Sequence, residues 1–223
     1  MNQALDNRRP LKSRDTGWAR RGATILARLG VKPDAVSAGA VVFAMIGAAA
    51  FVASGGLSPV PRALALIFAA LAIQLRLVCN LMDGMVAVEH GQGGPHGPIW
   101  NELPDRVADA LFLIAAGYGA LRAGAAWGEP LGWLCAVLAV LTAYVRELGR
   151  GLGQPADFSG PGAKPQRMAI LTVASLIAAA ETLWGWHGQS LAAALALIAA
   201  LAAITAVRRT LNLAARLRAA SGA

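Results

Sequence analysis

Charge is scarce in this chain. Asp, Glu, Lys and Arg make up 14% of its 223 residues, where soluble domains carry about a quarter. Aromatic residues are few as well, at 6%, and there are only two cysteines and three histidines. The low charge excludes an ordinary soluble globular domain. Disorder is excluded too, because the apolar residues run in long blocks and are not scattered through a polar background. Cys79 and Cys135 both fall inside apolar stretches and read as small packed hydrophobes, with no disulfide pattern, metal spacing or redox motif. What is abundant is apolar: 57% of residues are hydrophobic and the mean hydropathy is +0.53. The chain belongs in a lipid bilayer.

The few charges are unevenly placed. Lys and Arg number 20 against 12 Asp and Glu, a formal net charge of +8. A basic surplus attracts phosphate backbones, yet these residues flank apolar blocks at both ends and in one internal loop, without interleaved aromatics. Nucleic acid is therefore not the expected partner, and anionic lipid headgroups are. Arg8, Arg9, Lys12, Arg14, Arg20, Arg21 and Arg28 all precede the first apolar block. This is not the pattern of a cleavable signal, and the N-terminus is expected to be kept.

A helix needs about 20 residues to cross the hydrocarbon core. Six blocks approach that length, at 36–53, 63–82, 107–121, 131–145, 168–183 and 191–207, separated by Gly- and Pro-rich connections. The third and fifth are short, so their helices are expected to extend through polar residues that face protein or water. The expected fold is an all-α integral membrane protein of six transmembrane helices preceded by an interfacial amphipathic helix. The chain divides as one domain into an arm, 1–33, a bundle, 34–207, and a basic tail, 208–223. Sixteen of the basic residues fall on the side that holds both termini and the 83–107 and 146–167 segments, against Arg62 and Arg122 on the other. Arg76 and Arg106 fall within or beside helices that carry acids. Both termini are therefore expected in the cytoplasm. In the arm, Trp18, Ile25, Leu26 and Leu29 share a helical face, with Arg14, Arg21 and Arg28 elsewhere, as in a helix lying in the headgroup plane. Gly30 ends that helix, and Asp34 or Ser37 is available to cap the next.

The most informative stretch is polar. Asn80 and Asp83 are three residues apart, with Gly84 next and Ala87 on the same face. Asn101, Asp105 and Asp109 recur every four residues on the following helix, with Glu102 three before Asp105. Two helices thus direct oxygen donors at each other, a set that suits a hard cation such as Mg²⁺ or Mn²⁺. Acids at this spacing beside a span repel one another unless a cation gathers them. His90 and His96 read as loop histidines. Lys164 and Arg167 open the fifth block after Gly160-Pro161-Gly162, either as a phosphate site at a helix N-terminus or as ordinary membrane anchoring. Arg146 and Arg150 invite the same reading with less force.

At this point the spacing resembles a known signature. Asn80-Leu81-Met82-Asp83-Gly84-Met85-Val86-Ala87-Val88, eight further residues, then Gly97-x3-Asn101-x3-Asp105 is similar, gap for gap, to D-x2-D-G-x2-A-R-x8-G-x3-D-x3-D of the CDP-alcohol phosphotransferase family. The lead from Leu29 to Asp34 and the six-span count resemble the family too. Three positions depart from it: Asn80 and Asn101 replace aspartates, and Val88 replaces the arginine. An amide oxygen still ligates a hard cation, but each replacement removes a negative charge, and Glu102, Asp109 and Glu89 are placed to compensate.

The resemblance implies an integral-membrane enzyme of phospholipid biosynthesis. It would transfer a substituted phosphate from a CDP-linked donor, often CDP-diacylglycerol, to an alcohol, and release CMP. Mg²⁺ or Mn²⁺ is the implied cofactor, with Asn80, Asp83, Asn101, Asp105, Asp109 and Glu102 as candidate ligands. Asp105 is implied as the general base. Gly84, Ala87 and Gly97 are implied for the nucleotide, while Lys164 and Arg167 stand as candidates for a substrate phosphate on their place in the chain alone. The resemblance also implies a homodimer in a plasma or bacterial inner membrane, with an acceptor that the residues do not name. The two asparagines keep open a catalytically impaired member that binds CDP-lipid. A membrane transporter fits the composition but not the spacing.

Overall fold

Long apolar runs in lipid must satisfy their backbone groups within themselves, and a helix does this segment by segment. The computed structural model of the chain is all-α, with no strand among the described residues, which are 15–89 and 96–221. At 88, 89, 98 and 101 the backbone alone is described. Arg8, Arg9, Lys12, Arg14 and His90, with the side chains of Val88, Glu89 and Asn101, therefore lie outside the described residues.

The helices among the described residues are α1 Gly17–Arg28, α2 Pro33–Ser54, α3 Pro59–Glu89, α4 Gly97–Ala123, α5 Gly128–Gly151, α6 Lys164–Ala180 and α7 Gln189–Ser221. A 3₁₀ turn, Glu181–Trp184, follows α6. Helices α2 to α7 close a ring in which α3 packs on α2, α2 on α4, α4 on α5, α5 on α7, α7 on α6 and α6 back on α3. The core between them holds Phe51, Leu66, Ile73, Phe112, Leu171 and Leu195. Phe51 and Phe112 meet edge to face at 6.5 Å between ring centres. Where α4 crosses α5 the contact is backbone on backbone: a Cβ at Gly117 would stand 2.5 Å from the Gly128 carbonyl oxygen.

Among the described residues five helices are long and apolar enough to cross a membrane, namely α2, α3, α5, α6 with its 3₁₀ turn, and α7. The chain is a multi-pass membrane protein. The expected count of six is not reached by length and composition, because α4 carries Glu102, Asp105, Arg106 and Asp109 in its first half. Polar extension of the two short blocks is observed. Helix α4 takes in Asp105 and Asp109, and α6 begins at Lys164 and takes in Arg167; all but Lys164 are buried.

Helix α1 lies on the end of α3. Ala19 and Ala23 are wholly buried against Leu81, Met82, Met85 and Val86, while Trp18, Ile25 and Leu29 stay exposed. Leu26 departs from its expected face and packs with the buried alanines. Gly30, at φ +70°, turns the chain into α2. The N-cap of α2 is Lys32 with no side-chain bond, so neither Asp34 nor Ser37 caps it. Past 207, α7 continues as helix through most of the basic tail. At the far end of the bundle from the polar cluster, Glu181 is wholly buried, ion-paired with Arg62 and bonded by the Gly188 and Ser190 amides at the start of α7.

Candidate active site

Three helices bring the polar residues together. Helix α3 supplies Arg76, Asn80 and Asp83, α4 supplies Glu102, Asp105 and Asp109, and α6 supplies Lys164 and Arg167. Asp105 is the meeting point. Arg76 Nη2 lies 3.2 Å from its Oδ1 and 3.1 Å from its backbone oxygen, and the Asn80 amide also donates to Oδ1. The Lys164 ammonium donates to Oδ2, with Arg106 3.8 Å away. A buried carboxylate is stable only when paired in this way.

Asp109 is fully engaged one turn further along α4. Arg76 Nη2 reaches its Oδ1 at 2.7 Å and Arg167 Nη2 its Oδ2 at 2.6 Å. Arg167 also donates to the Gly162 carbonyl at 2.6 Å and is 1% exposed. Glu102 pairs with Arg106 at 2.9 Å and with Arg146 of α5. Arg146 also pairs with Glu147 and stacks over Phe158 at 5.4 Å, and Arg150 pairs with Glu147 at 2.8 Å.

Asp109 and Glu102, expected as candidate cation ligands, share a helix with Asp105 and are each paired with two arginines here. Arg167, expected at a substrate phosphate, is buried and bridges α6 to α4 through Asp109, and Arg146 and Arg150 are paired with acids. Lys164 is half-buried, and its sole side-chain bond among the described residues is to Asp105. His96 occupies the N-cap position of α4 without a side-chain bond. Gly84 and Ala87 are half-buried on α3, and a Cβ at Gly97 would meet nothing within 4 Å.

Asp83 stands apart from the arginines. It is 6% exposed, its Oδ2 accepts from Ser37 of α2 at 2.6 Å, and its Oδ1 is buried with no hydrogen-bond partner. Among the described residues no three His, Cys, Asp or Glu side chains gather as a metal centre. Two of the signature's carboxylates are amides here, Asn80 and Asn101. The buried, unpartnered Asp83 oxygen is a hard donor of the kind a divalent cation takes.

The chain leading into α6 is strapped to α7. Asp157 accepts from the Ser159 amide at 2.8 Å and from Asn212 at 3.1 Å; Arg209 donates to Ser159 O at 2.9 Å and Thr142 O at 2.7 Å. The Gly162 amide donates to Thr205 at 2.7 Å. This strap sets the start of α6, and with it Lys164. Sequence reasoning passed over Arg76 as a site residue, although it precedes Asn80 by four and shares its face. Ser37 was taken for a cap, and its partner lies 46 residues away.

No family model matches the chain. A phosphatidylinositol phosphate synthase of Mycobacteroides abscessus is 27% identical over 164 residues, which is 69% of this chain and 66% of that protein. Among solved structures, the phosphatidylinositol phosphate synthase PgsA1 of Mycobacterium tuberculosis in complex with manganese and citrate superposes with a TM-score of 0.70 at 20% identity, covering 86% of both chains. The same protein with CDP-DAG bound gives a TM-score of 0.70 at 21% identity, over 87% of this chain and 92% of the other. The resemblance to the CDP-alcohol phosphotransferase family, read first from the signature, therefore holds in fold as well as in sequence.

Proposed function

We propose that this chain transfers a substituted phosphate from a CDP-linked donor, CDP-diacylglycerol first among them, to the hydroxyl of an alcohol and releases CMP. The observation that carries the reading is Asp105. It sits where α3, α4 and α6 converge, at the signature position that acts on the acceptor, bonded to Arg76, Asn80 and Lys164. The sequence match to a phosphatidylinositol phosphate synthase supports the activity, and the CDP-DAG complex of the related fold supports the donor.

In this mechanism Asp105 takes the acceptor's hydroxyl proton on a carboxylate oxygen. The acceptor oxygen bonds to the lipid-bearing phosphorus as the bond to the bridging oxygen breaks. CMP leaves with that electron pair, and the proton passes from Asp105 to solvent. Lys164 binds a substrate phosphate, and on leaving Asp105 it uncovers the base. Arg76 stays behind and keeps the carboxylate oriented. Asp83, Asp105 and the amide oxygens of Asn80 and Asn101 would hold Mg²⁺ or Mn²⁺, which when bound offsets charge on the pyrophosphate and the departing CMP. Gly84, Ala87 and Gly97 are the positions for the nucleotide, where a small side chain admits close approach.

The reading extends to a single domain with the arm at 1–33, the bundle at 34–207 and the tail at 208–223. It places both termini in the cytoplasm of a plasma or bacterial inner membrane and takes the chain as a homodimer. The test is CMP release from CDP-diacylglycerol by purified protein with Mg²⁺ or Mn²⁺, across glycerol 3-phosphate, inositol phosphate, serine, glycerol and phosphatidylglycerol. Release that needs both metal and one acceptor names the product. A second reading, favoured by Asn80 and Asn101, is a binding protein that retains CDP-lipid without turnover, and silence across the panel with CDP-lipid bound selects it.

A further inference from the structure

Asp83 is oriented from outside its own helix. Ser37 of α2 is 3% exposed, and its Oγ lies 2.6 Å from Asp83 Oδ2 and 3.2 Å from the Pro33 carbonyl. A hydroxyl has one proton to give, and the shorter contact to a charged acceptor takes it. One Asp83 oxygen is thereby tethered, and the other, Oδ1, is buried with no hydrogen-bond partner. The cations of the region are turned elsewhere: Arg76 and Arg167 to Asp109, Arg106 to Glu102, Lys164 to Asp105. Among the described residues no Lys or Arg forms an ion pair with Asp83. The two oxygens are equivalent under a half-turn of the terminal torsion, so the Ser37 bond fixes the plane of the carboxylate and with it the direction in which the unbonded oxygen points. A buried carboxylate oxygen without a partner is costly, and a cation removes that cost.

We propose that Ser37 is a positioning residue for Asp83, holding Oδ2 so that Oδ1 is presented to the divalent cation. The inference rests on the metal-dependent reading above and adds to it a residue from α2, outside the signature. Hydrogen-bonded partners of ligands fix ligand orientation, and their loss typically costs about 10- to 100-fold in metal affinity.

The test is Mn²⁺ binding to the purified full chain, followed by electron paramagnetic resonance of free Mn²⁺, for wild type, Ser37→Ala, Ser37→Cys and Ser37→Thr. Cysteine keeps the volume with a weak donor, and threonine keeps the hydroxyl. CMP release against Mn²⁺ concentration and thermal unfolding are recorded on the same samples. Ser37→Ala and Ser37→Cys are expected to weaken Mn²⁺ binding about tenfold and to raise the Mn²⁺ needed for half-maximal turnover by the same factor. Saturating Mn²⁺ regains the turnover, and Ser37→Thr binds as wild type. A merely structural role lowers the unfolding temperature and leaves Mn²⁺ affinity unchanged. Unchanged affinity in folded Ser37→Cys, or a wild type that binds no Mn²⁺, overturns the inference. Weakened Mn²⁺ binding with no CMP release from any sample overturns the phosphotransferase reading and leaves the role of Ser37 standing.

Discussion

The guanidinium of Arg76, wholly buried on α3, meets the Asp109 carboxylate at 2.7 Å, and the same Nη2 lies 3.2 Å from Asp105 Oδ1. One arginine thus ties the acid proposed to act on the acceptor to a second acid one turn along α4. Arg167 completes the layer from α6, and three helices are cross-linked through Asp109. In the proposed function the two acids divide the work: Asp109 ties the helices together, and Asp105 acts on the acceptor.

Asp109→Ala leaves two buried guanidiniums without their shared counter-ion. Breaking a buried pair from one side costs about 3–5 kcal/mol, so the variant is expected to unfold at a markedly lower temperature in detergent. Arg76→Ala combined with it is expected to cost less than the sum of the two single changes, because they share a contact. A thermal midpoint equal to wild type for Asp109→Ala contradicts the cross-link.

Lys164→Ala removes the ammonium that bonds Asp105 Oδ2, leaving Arg106 at 3.8 Å. With a phosphate-bearing acceptor, KM is expected to rise about tenfold, the worth of one charge-assisted hydrogen bond. The unfolding temperature is expected to change little, since Lys164 is half-buried. Steady-state kinetics on the identified acceptor check this, and an unchanged KM removes Lys164 from substrate binding.

Glu181 binds Arg62 and the first amides of α7 at the opposite end of the ring. Glu181→Ala is expected to destabilise the bundle by about 3–5 kcal/mol, while Mn²⁺ affinity measured on the remaining folded protein stays as in wild type. A change in that affinity would mean that the two ends are coupled.

The strap before α6 carries a pH dependence. Burial pushes the Asp157 carboxyl up, but hydrogen bonds from Ser159 and Asn212 outweigh it and hold the group below its usual range. A lowered folded value adds stability above the unfolded value of about 4, and that contribution is lost as pH falls through the folded one. The 152–163 segment is expected to resist proteolysis at neutral pH and to become susceptible to an acid protease below about pH 4. Asp157→Asn is expected to abolish this change, and persistence of the change in that variant assigns it to another group.

Much of the helical plan was legible because lipid leaves few alternatives, and the signature spacing brought Asn80, Asp83 and Asp105 onto facing helices before any coordinates. The polar extensions of α4 and α6 could also be foreseen, since short apolar blocks need somewhere to continue. Partner choice could not. Asp109 and Asp105 look alike along the chain, and only the fold delivers Arg167 to one and Lys164 to the other. Glu102 finds Arg146 on another helix, 44 residues away, a pairing that no local pattern encodes. Ser37 read as a cap because caps are local, whereas its bond spans two helices.

The most direct test of the account compares Asp105→Asn with wild type in CDP-diacylglycerol binding and in CMP release with Mn²⁺ and the active acceptor. Asparagine keeps the shape of the side chain and removes its capacity to take a proton. CDP-diacylglycerol binding is expected to be retained and CMP release to fall about 10²- to 10⁴-fold, the usual contribution of a general base. CMP release by Asp105→Asn at the wild-type rate contradicts that role.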